Sequence, residues 1–215
     1  MKNLILLPAL TVLISAGSAL AQPPKRSTGA KSPVLDIEPG SFGMARGLRG
    51  FTVMRTDGPG AVHTDVTMYS YLYLPTIKAG VAFYKPSMRL DLTGGFGLMT
   101  AGGMLGYTLV SDAAFRFKTG RFTTLGPHAG VIYIAPSWVG KATKPEDISI
   151  SPGAGLVAGV SFTFGRKISL VTSLDDLIMK SLKVTAGHNV AAPAALDLSG
   201  WLFQLGILLK FGTAG

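Results

Sequence analysis

Any side-chain chemistry in this 215-residue chain has to begin with three histidines, because no cysteine is present to supply a thiolate. His63, His128 and His188 lie far apart, and none has the i+4 partner that sets two imidazoles on one metal ion. No metal site is expected from them. His188 follows Asp175, Asp176 and Ser181, the one grouping of a histidine with hydroxyl and carboxylate side chains that could do acid–base or nucleophilic chemistry. No nucleophile elbow accompanies it, and catalytic groups must also meet in space. That grouping is therefore read as solvated loop residues, and no catalytic residue is assigned. Two glycine motifs fail on context. Gly153-Ala154-Gly155-Leu156-Val157-Ala158-Gly159 looks like a dinucleotide loop, but such a loop must open a helix, and the residues that follow alternate as a strand. Gly140-Lys141-Ala142-Thr143 looks like a phosphate loop, but Ala135 stands in place of its first glycine and Ala142 in place of its hydroxyl residue. No cofactor is expected.

The polar residues that do recur in a pattern sit on alternate positions of apolar segments. Met88, Leu90 and Leu92 share one face, and Arg89, Asp91 and Thr93 share the other. Period two means a strand with one greasy and one polar side. In Gly155 to Phe164, Leu156, Ala158, Val160, Phe162 and Phe164 oppose Gly155, Val157, Gly159, Ser161 and Thr163. In the last segment Trp201, Phe203, Leu205, Ile207, Leu209 and Phe211 oppose Leu202, Gln204, Gly206, Leu208 and Lys210. Further strand candidates, rich in Val, Ile, Thr, Tyr and Phe, are 65–74, 78–84, 107–118, 122–134 and 168–174. Residues 173–182 read equally well as one short helix or as a continuing strand.

Several segments run for about 9–13 residues, the length of a tilted membrane strand rather than a soluble one. Their polar face is small and Gly-rich, which suits the crowded interior of a narrow barrel. The connections alternate between tight turns (119–121, 165–167) and long loops (135–151, 175–198), the asymmetry of short periplasmic turns and long outer loops. Leu74-Pro75-Thr76 and Lys85-Pro86-Ser87 both read as short connections. The expected fold is all-β, an antiparallel up-and-down transmembrane β-barrel of about eight strands, with ten as the next even count. Arg89, Asp91, Thr93, Arg116, Lys118, Gln204 and Lys210 are expected to line its interior. Trp201 and Phe211 should mark the two membrane interfaces.

The flanks agree with export. Met1-Lys2-Asn3 is a short basic start, 4–20 is apolar with few interruptions, and Ala19-Leu20-Ala21 is a small–x–small cleavage site. Residues 1–21 thus read as a signal peptide, 22–43 as a basic flexible linker and 44–215 as the barrel. An exported chain without cysteine is not held by disulfides. A mean hydropathy of +0.40 without a later apolar run of about 18–20 residues argues against membrane helices and fits a lipid-facing sheet. The formal net charge of +9 would suit nucleic acid, but export argues against that partner. Lipid head groups or acidic polysaccharide fit better.

On the signal peptide, the Gly-rich strands 94–98, 126–134 and 153–164 and the closing strand 201–211, the chain resembles small bacterial outer-membrane β-barrel proteins. These include the membrane domain of outer-membrane protein A and the outer-membrane protein W type. That resemblance implies a Gram-negative outer-membrane location, lipid and the barrel-assembly machinery as partners, and a non-enzymatic structural or surface-interaction role. Alternatives are a narrow transport barrel, a lipid-modifying enzyme and a soluble ligand-binding barrel. In such families the machinery reads a terminal aromatic residue, whereas here Phe211 is followed by Gly212-Thr213-Ala214-Gly215.

Overall fold

The computed structural model describes residues 31–56, 62–67, 71–140, 143 and 147–211. The expected signal peptide and 22–30 lie outside these residues. The wall begins with β1 (Lys31–Glu38) and β2 (Phe42–Ala45), which together make one interrupted strand. Next comes a small excursion, β3 (Thr52–Thr56) and β4 (Val62–Thr67). The second wall strand is also interrupted, as β5 (Tyr71–Tyr73) and β6 (Thr76–Tyr84). Three long strands follow, β7 (Met88–Ala101), β8 (Met104–Lys118) and β9 (Thr123–Trp138). After β10 (Ile148–Ile150) come β11 (Gly153–Gly165) and β12 (Ile168–Met179). The chain then makes β13 (Leu182–Ala186), β14 (Val190–Ala191) and β15 (Ala195–Leu196), and closes with β16 (Gly200–Lys210).

The wall is a closed ring of eight antiparallel strands, because β1 pairs with both β6 and β16. Closure leaves no open sheet edge, so the wall's backbone donors and acceptors find partners within it. Short turns and both ends of the wall lie at one mouth. The long connections lie at the other, where β7 and β8 are joined by Gly102-Gly103 alone. Gly102 has φ 53, a left-handed conformation open to glycine at little cost.

Side chains alternate in and out. Leu156 is 57% exposed, Leu174 62% and Phe164 54% on the outside, while Arg116 is 4% and Asp91 3% exposed within. A soluble barrel would have these polarities reversed. The interior changes character along the axis. Toward the short-turn mouth it is polar and charged, beside a small apolar cluster of Val34, Ala82, Val171 and Leu208. Toward the long-loop mouth it is apolar, with Leu72, Leu74, Met99, Ile134, Trp138 and Leu202 in one continuous cluster. That cluster continues into the loops through Leu48, Phe51, Ile148, Leu196 and Leu198. Trp138 joins wall to cap: its Nε1–H donates to Thr143 Oγ1 at 2.8 Å and its ring lies 6.3 Å from that of Phe51.

The cap is two three-stranded sheets, β10-β13-β15 and β14-β3-β4. The fourth connection at this mouth contributes to both: β13 pairs with β10 from the third, and β14 with β3 from the first.

Two sequence expectations are corrected, and one open alternative is resolved. Residues 31–43 are wall rather than linker. Ser32, Val34, Asp36 and Glu38 point inward and Pro33, Leu35 and Ile37 outward, so the alternation is present, but carboxylates on its inner face disguise it. Leu74-Pro75 is a break within one strand rather than a turn, since β5 and β6 keep the same register against β7. Residues 173–179 continue β12 as strand and form no helix.

Candidate functional site

Arg89, Asp91 and Arg116 meet inside the barrel as the sequence pattern requires. Asp91 Oδ2 accepts from Arg89 Nη2 at 2.5 Å and from Arg116 Nε at 2.9 Å, and Arg116 Nη1 donates to Ser161 Oγ at 2.8 Å. β7 and β8 set Arg89 directly opposite Arg116, so two like charges on neighbouring strands share the carboxylate two residues along. Thr93 also faces inward, opposite Asp112. Gln204 is inward and lies 3.1 Å from Ser173 Oγ. Lys210 is half-buried at the short-turn mouth. Lys118 is a correction: it has the inward phase, but β8 ends there and the side chain is exposed at the rim. Trp201 and Phe211 face outward at opposite ends of β16, 44% and 42% exposed.

The densest polar cluster centres on a histidine to which the sequence reading gave no role. His128 is inward on β9 and buried. Its Nε2 lies 2.6 Å from Asp175 Oδ1 on β12, and its Nδ1 lies 3.1 Å from Asp112 Oδ1 on β8. Ionised carboxylates only accept, so with both of them ionised each ring nitrogen donates and the ring is an imidazolium. Ser173 donates to the second oxygen of Asp175 at 2.7 Å. Glycines make the room. A Cβ on Gly159 would stand 2.1 Å from Asp175 Oδ1, and one on Gly130 3.2 Å from Asp112 Oδ1. The signal was the alternation Gly126-Pro127-His128-Ala129-Gly130, which puts His128 in phase with the small inward residues. A third cluster joins the first two wall strands. Lys78 Nζ lies 2.7 Å from Glu38 Oε1 and 3.6 Å from Asp36 Oδ2, and Thr76 Oγ1 donates to Glu38.

His188 does not join Asp175 or Asp176. Asp175 points into the barrel, Asp176 points outward beside Trp201, and His188 lies in an exposed turn before β14. The residues proposed for a lipid-modifying centre therefore do not converge. Among the described residues no cluster of three or more metal-binding side chains occurs.

Just outward of Glu38 the wall is irregular. Pro39 and Gly40 together oppose the single residue Leu205 of β16, a bulge that shifts the register by one. On the next strand Pro75 lies at the same height. Neither proline has an N–H to give the ladder. What remains is Gly40 N–H to Leu205 O, Leu74 N–H to Ser41 O, Leu98 N–H to Pro75 O, and the Tyr73 hydroxyl to Pro39 O. Behind this seam lies a cavity of about 30 Å³, which Glu38, Leu74, Thr76, Lys78, Leu202 and Gln204 line on the seam side. That is room for only a water molecule or two. Along the axis of the described wall, charged clusters fill one half and the apolar cluster the other.

No protein-family profile and no curated protein sequence matches this chain. Among solved structures it is similar to the crystal structure of the outer membrane protein OprG from Pseudomonas aeruginosa. The TM-score is 0.47 at 10% identity, over 85% of this chain and 97% of that one. It is also similar to the solid-state NMR structure of the outer membrane protein AlkL in DMPC lipid bilayers. There the TM-score is 0.38 at 14% identity, over 90% of this chain and 97% of that one.

Proposed function

We propose that the exported chain spans the bacterial outer membrane. There it takes a small apolar solute into its outer half and releases it sideways through the wall at Pro39 and Pro75. The reading rests on one juxtaposition: the apolar inner cluster meets a cavity backed by a stretch of the described wall where two adjacent strands each carry a proline that gives the ladder no donor. A route along the axis is disfavoured, since an apolar solute would have to pass buried ion pairs whose separation costs several kcal/mol. The outside polarity and the aromatic residues toward both mouths support the membrane location. No catalytic step is part of this reading. A solute able to enter requires the cap to part from the apolar cluster.

The chain's lack of cysteine makes the test simple. Pro39→Cys with Pro75→Cys would bridge the seam. Cells carrying the chain should admit an apolar fluorescent probe faster than cells without it. Oxidised double-cysteine protein should lose that gain and reduced protein should recover it. Planar-bilayer recordings should show no steady ion conductance. Probe entry unchanged by the bridge would overturn the sideways route. The packed interior favours a second reading, a closed anchor that presents its cap at the cell surface. That reading expects no probe entry in any form.

A further inference from the structure

Each charged side chain described in the turns of the short-turn mouth is basic. Lys31 opens β1, Lys85 lies in the β6–β7 turn, Lys118 and Arg121 flank the β8–β9 turn, and Arg166 and Lys167 form the β11–β12 turn. All six are exposed. Adding the half-buried Lys210 gives seven of the chain's 20 Lys and Arg at this mouth, with none of its 11 acidic residues in the described turns there. The opposite mouth is mixed: Arg46, Arg49, Lys180 and Lys183 stand among Asp147 and Asp197. A surface charged merely for solubility would show no such division.

The placement identifies the partner. The charges occur at each turn and at the first strand, and so surround the mouth rather than marking one side. On the same strand ends stand the outward aromatic residues Phe83, Phe117 and Phe164, with Phe211 just past β16 and Phe122 in the β8–β9 turn. Lys31 Nζ lies 5.3 Å from the Phe83 ring, and the Arg121 and Arg166 guanidinium carbons lie 5.2 and 4.6 Å from the Phe122 ring. These stacks hold cations at the level where hydrocarbon gives way to water. A protein or a polymer strand would touch one arc of such a mouth, whereas a layer of lipid head groups touches all of it.

We infer that this basic collar binds the phosphates of anionic phospholipid in the leaflet around the short-turn mouth. The inference rests on the membrane-spanning reading above, but not on the transport reading. Basic residues near a lipid surface each contribute about 1 kcal/mol of attraction to anionic lipid, screened by salt.

The test compares lipid retained by the purified barrel, counted by native mass spectrometry, after refolding into vesicles of equimolar phosphatidylcholine and phosphatidylglycerol. Wild type should retain phosphatidylglycerol by at least about tenfold over phosphatidylcholine at low salt, the equivalent of about 1.4 kcal/mol. Lys85→Gln with Arg121→Gln, Arg166→Gln and Lys167→Gln changes only exposed turn residues and should bring the ratio within about twofold of unity. Arg49→Gln with Lys183→Gln, at the other mouth, should leave it unchanged. The proposal falls if wild type shows no preference, if the fourfold variant keeps it, or if soluble polyglutamate displaces the lipid, which would make an acidic polymer the partner. Failure of wild type to enter the vesicles would sink the membrane reading along with this one, whereas entry without preference sinks this one alone.

Discussion

Removing the His128 ring tests the interior most directly. His128→Ala takes away one cation and strands two carboxylates: Asp175, whose side chain is fully buried, and Asp112, with 16% of its side chain exposed. Asp175 keeps Ser173 on one oxygen but loses the 2.6 Å contact on the other. Breaking a buried pair by deleting one partner costs about 3–5 kcal/mol, because the charge left behind has neither water nor a counter-ion. Reversible urea unfolding from lipid vesicles measures it. Adding Asp112→Asn and Asp175→Asn to His128→Ala removes the stranded charges and should recover about half of the loss or more. A loss below about 1 kcal/mol, the size of an exposed pair, would refute the clasp. So would a triple variant no more stable than His128→Ala.

Three further outcomes are expected. Leu205→Arg, near the middle of β16, should cost about 2–4 kcal/mol, and Trp201→Arg at its end only about 0–1 from charge burial; equal losses in the same unfolding assay would contradict the lipid-facing assignment. The ten-residue separation of Trp201 and Phe211, roughly 33 Å along a strand, matches the apolar band once the strand is tilted. Gly159→Ala should destabilise by about 1–3 kcal/mol, since its Cβ would stand 2.1 Å from Asp175 Oδ1 and 2.2 Å from the Leu174 carbonyl; a neutral result in a melting experiment would mean the Asp175 side chain moves aside freely. N-terminal sequencing of exported protein should read Gln22 first, and a chain still starting at Met1 would remove the export reading.

How much of this was legible depended on how far apart the partners lie. The alternation in 88–93, 155–164 and 201–211 fixed inside from outside correctly, because one strand carries its own period-two record. Arg89, Asp91 and Arg116 were placed as interior residues for the same reason. The His128 clasp was hidden because its members come from three strands, 16 and 47 residues from the histidine. Only the register of β8, β9, β11 and β12 brings them to one height. The first wall strand was missed because its inner face carries Asp36 and Glu38, which look like solvated loop residues until Lys78 is set beside them. Pro75 was read as a turn, since a proline ordinarily ends a strand. The wall accommodates it next to the Pro39–Gly40 bulge. The cap sheets were illegible because β14 and β15 are two residues each and exist only through their partners.

The stitching of the cap by 180–199 has a consequence in time. A chain made and delivered from its N-terminus presents β3, β4 and β10 well before β13 and β14 exist to hold them. The outer surface therefore cannot take shape gradually, loop by loop. It becomes one object only when nearly the last segment of the chain arrives, in the same step that brings β16 to close the wall against β1. A chain halted short of that segment would carry the sequence of its first and third loops without their shape. Any receptor, antibody or phage that recognises the folded cap would thus be reading whether the molecule had been finished. For the same reason the loops are not free to vary singly, since a new first loop must still fit the fourth.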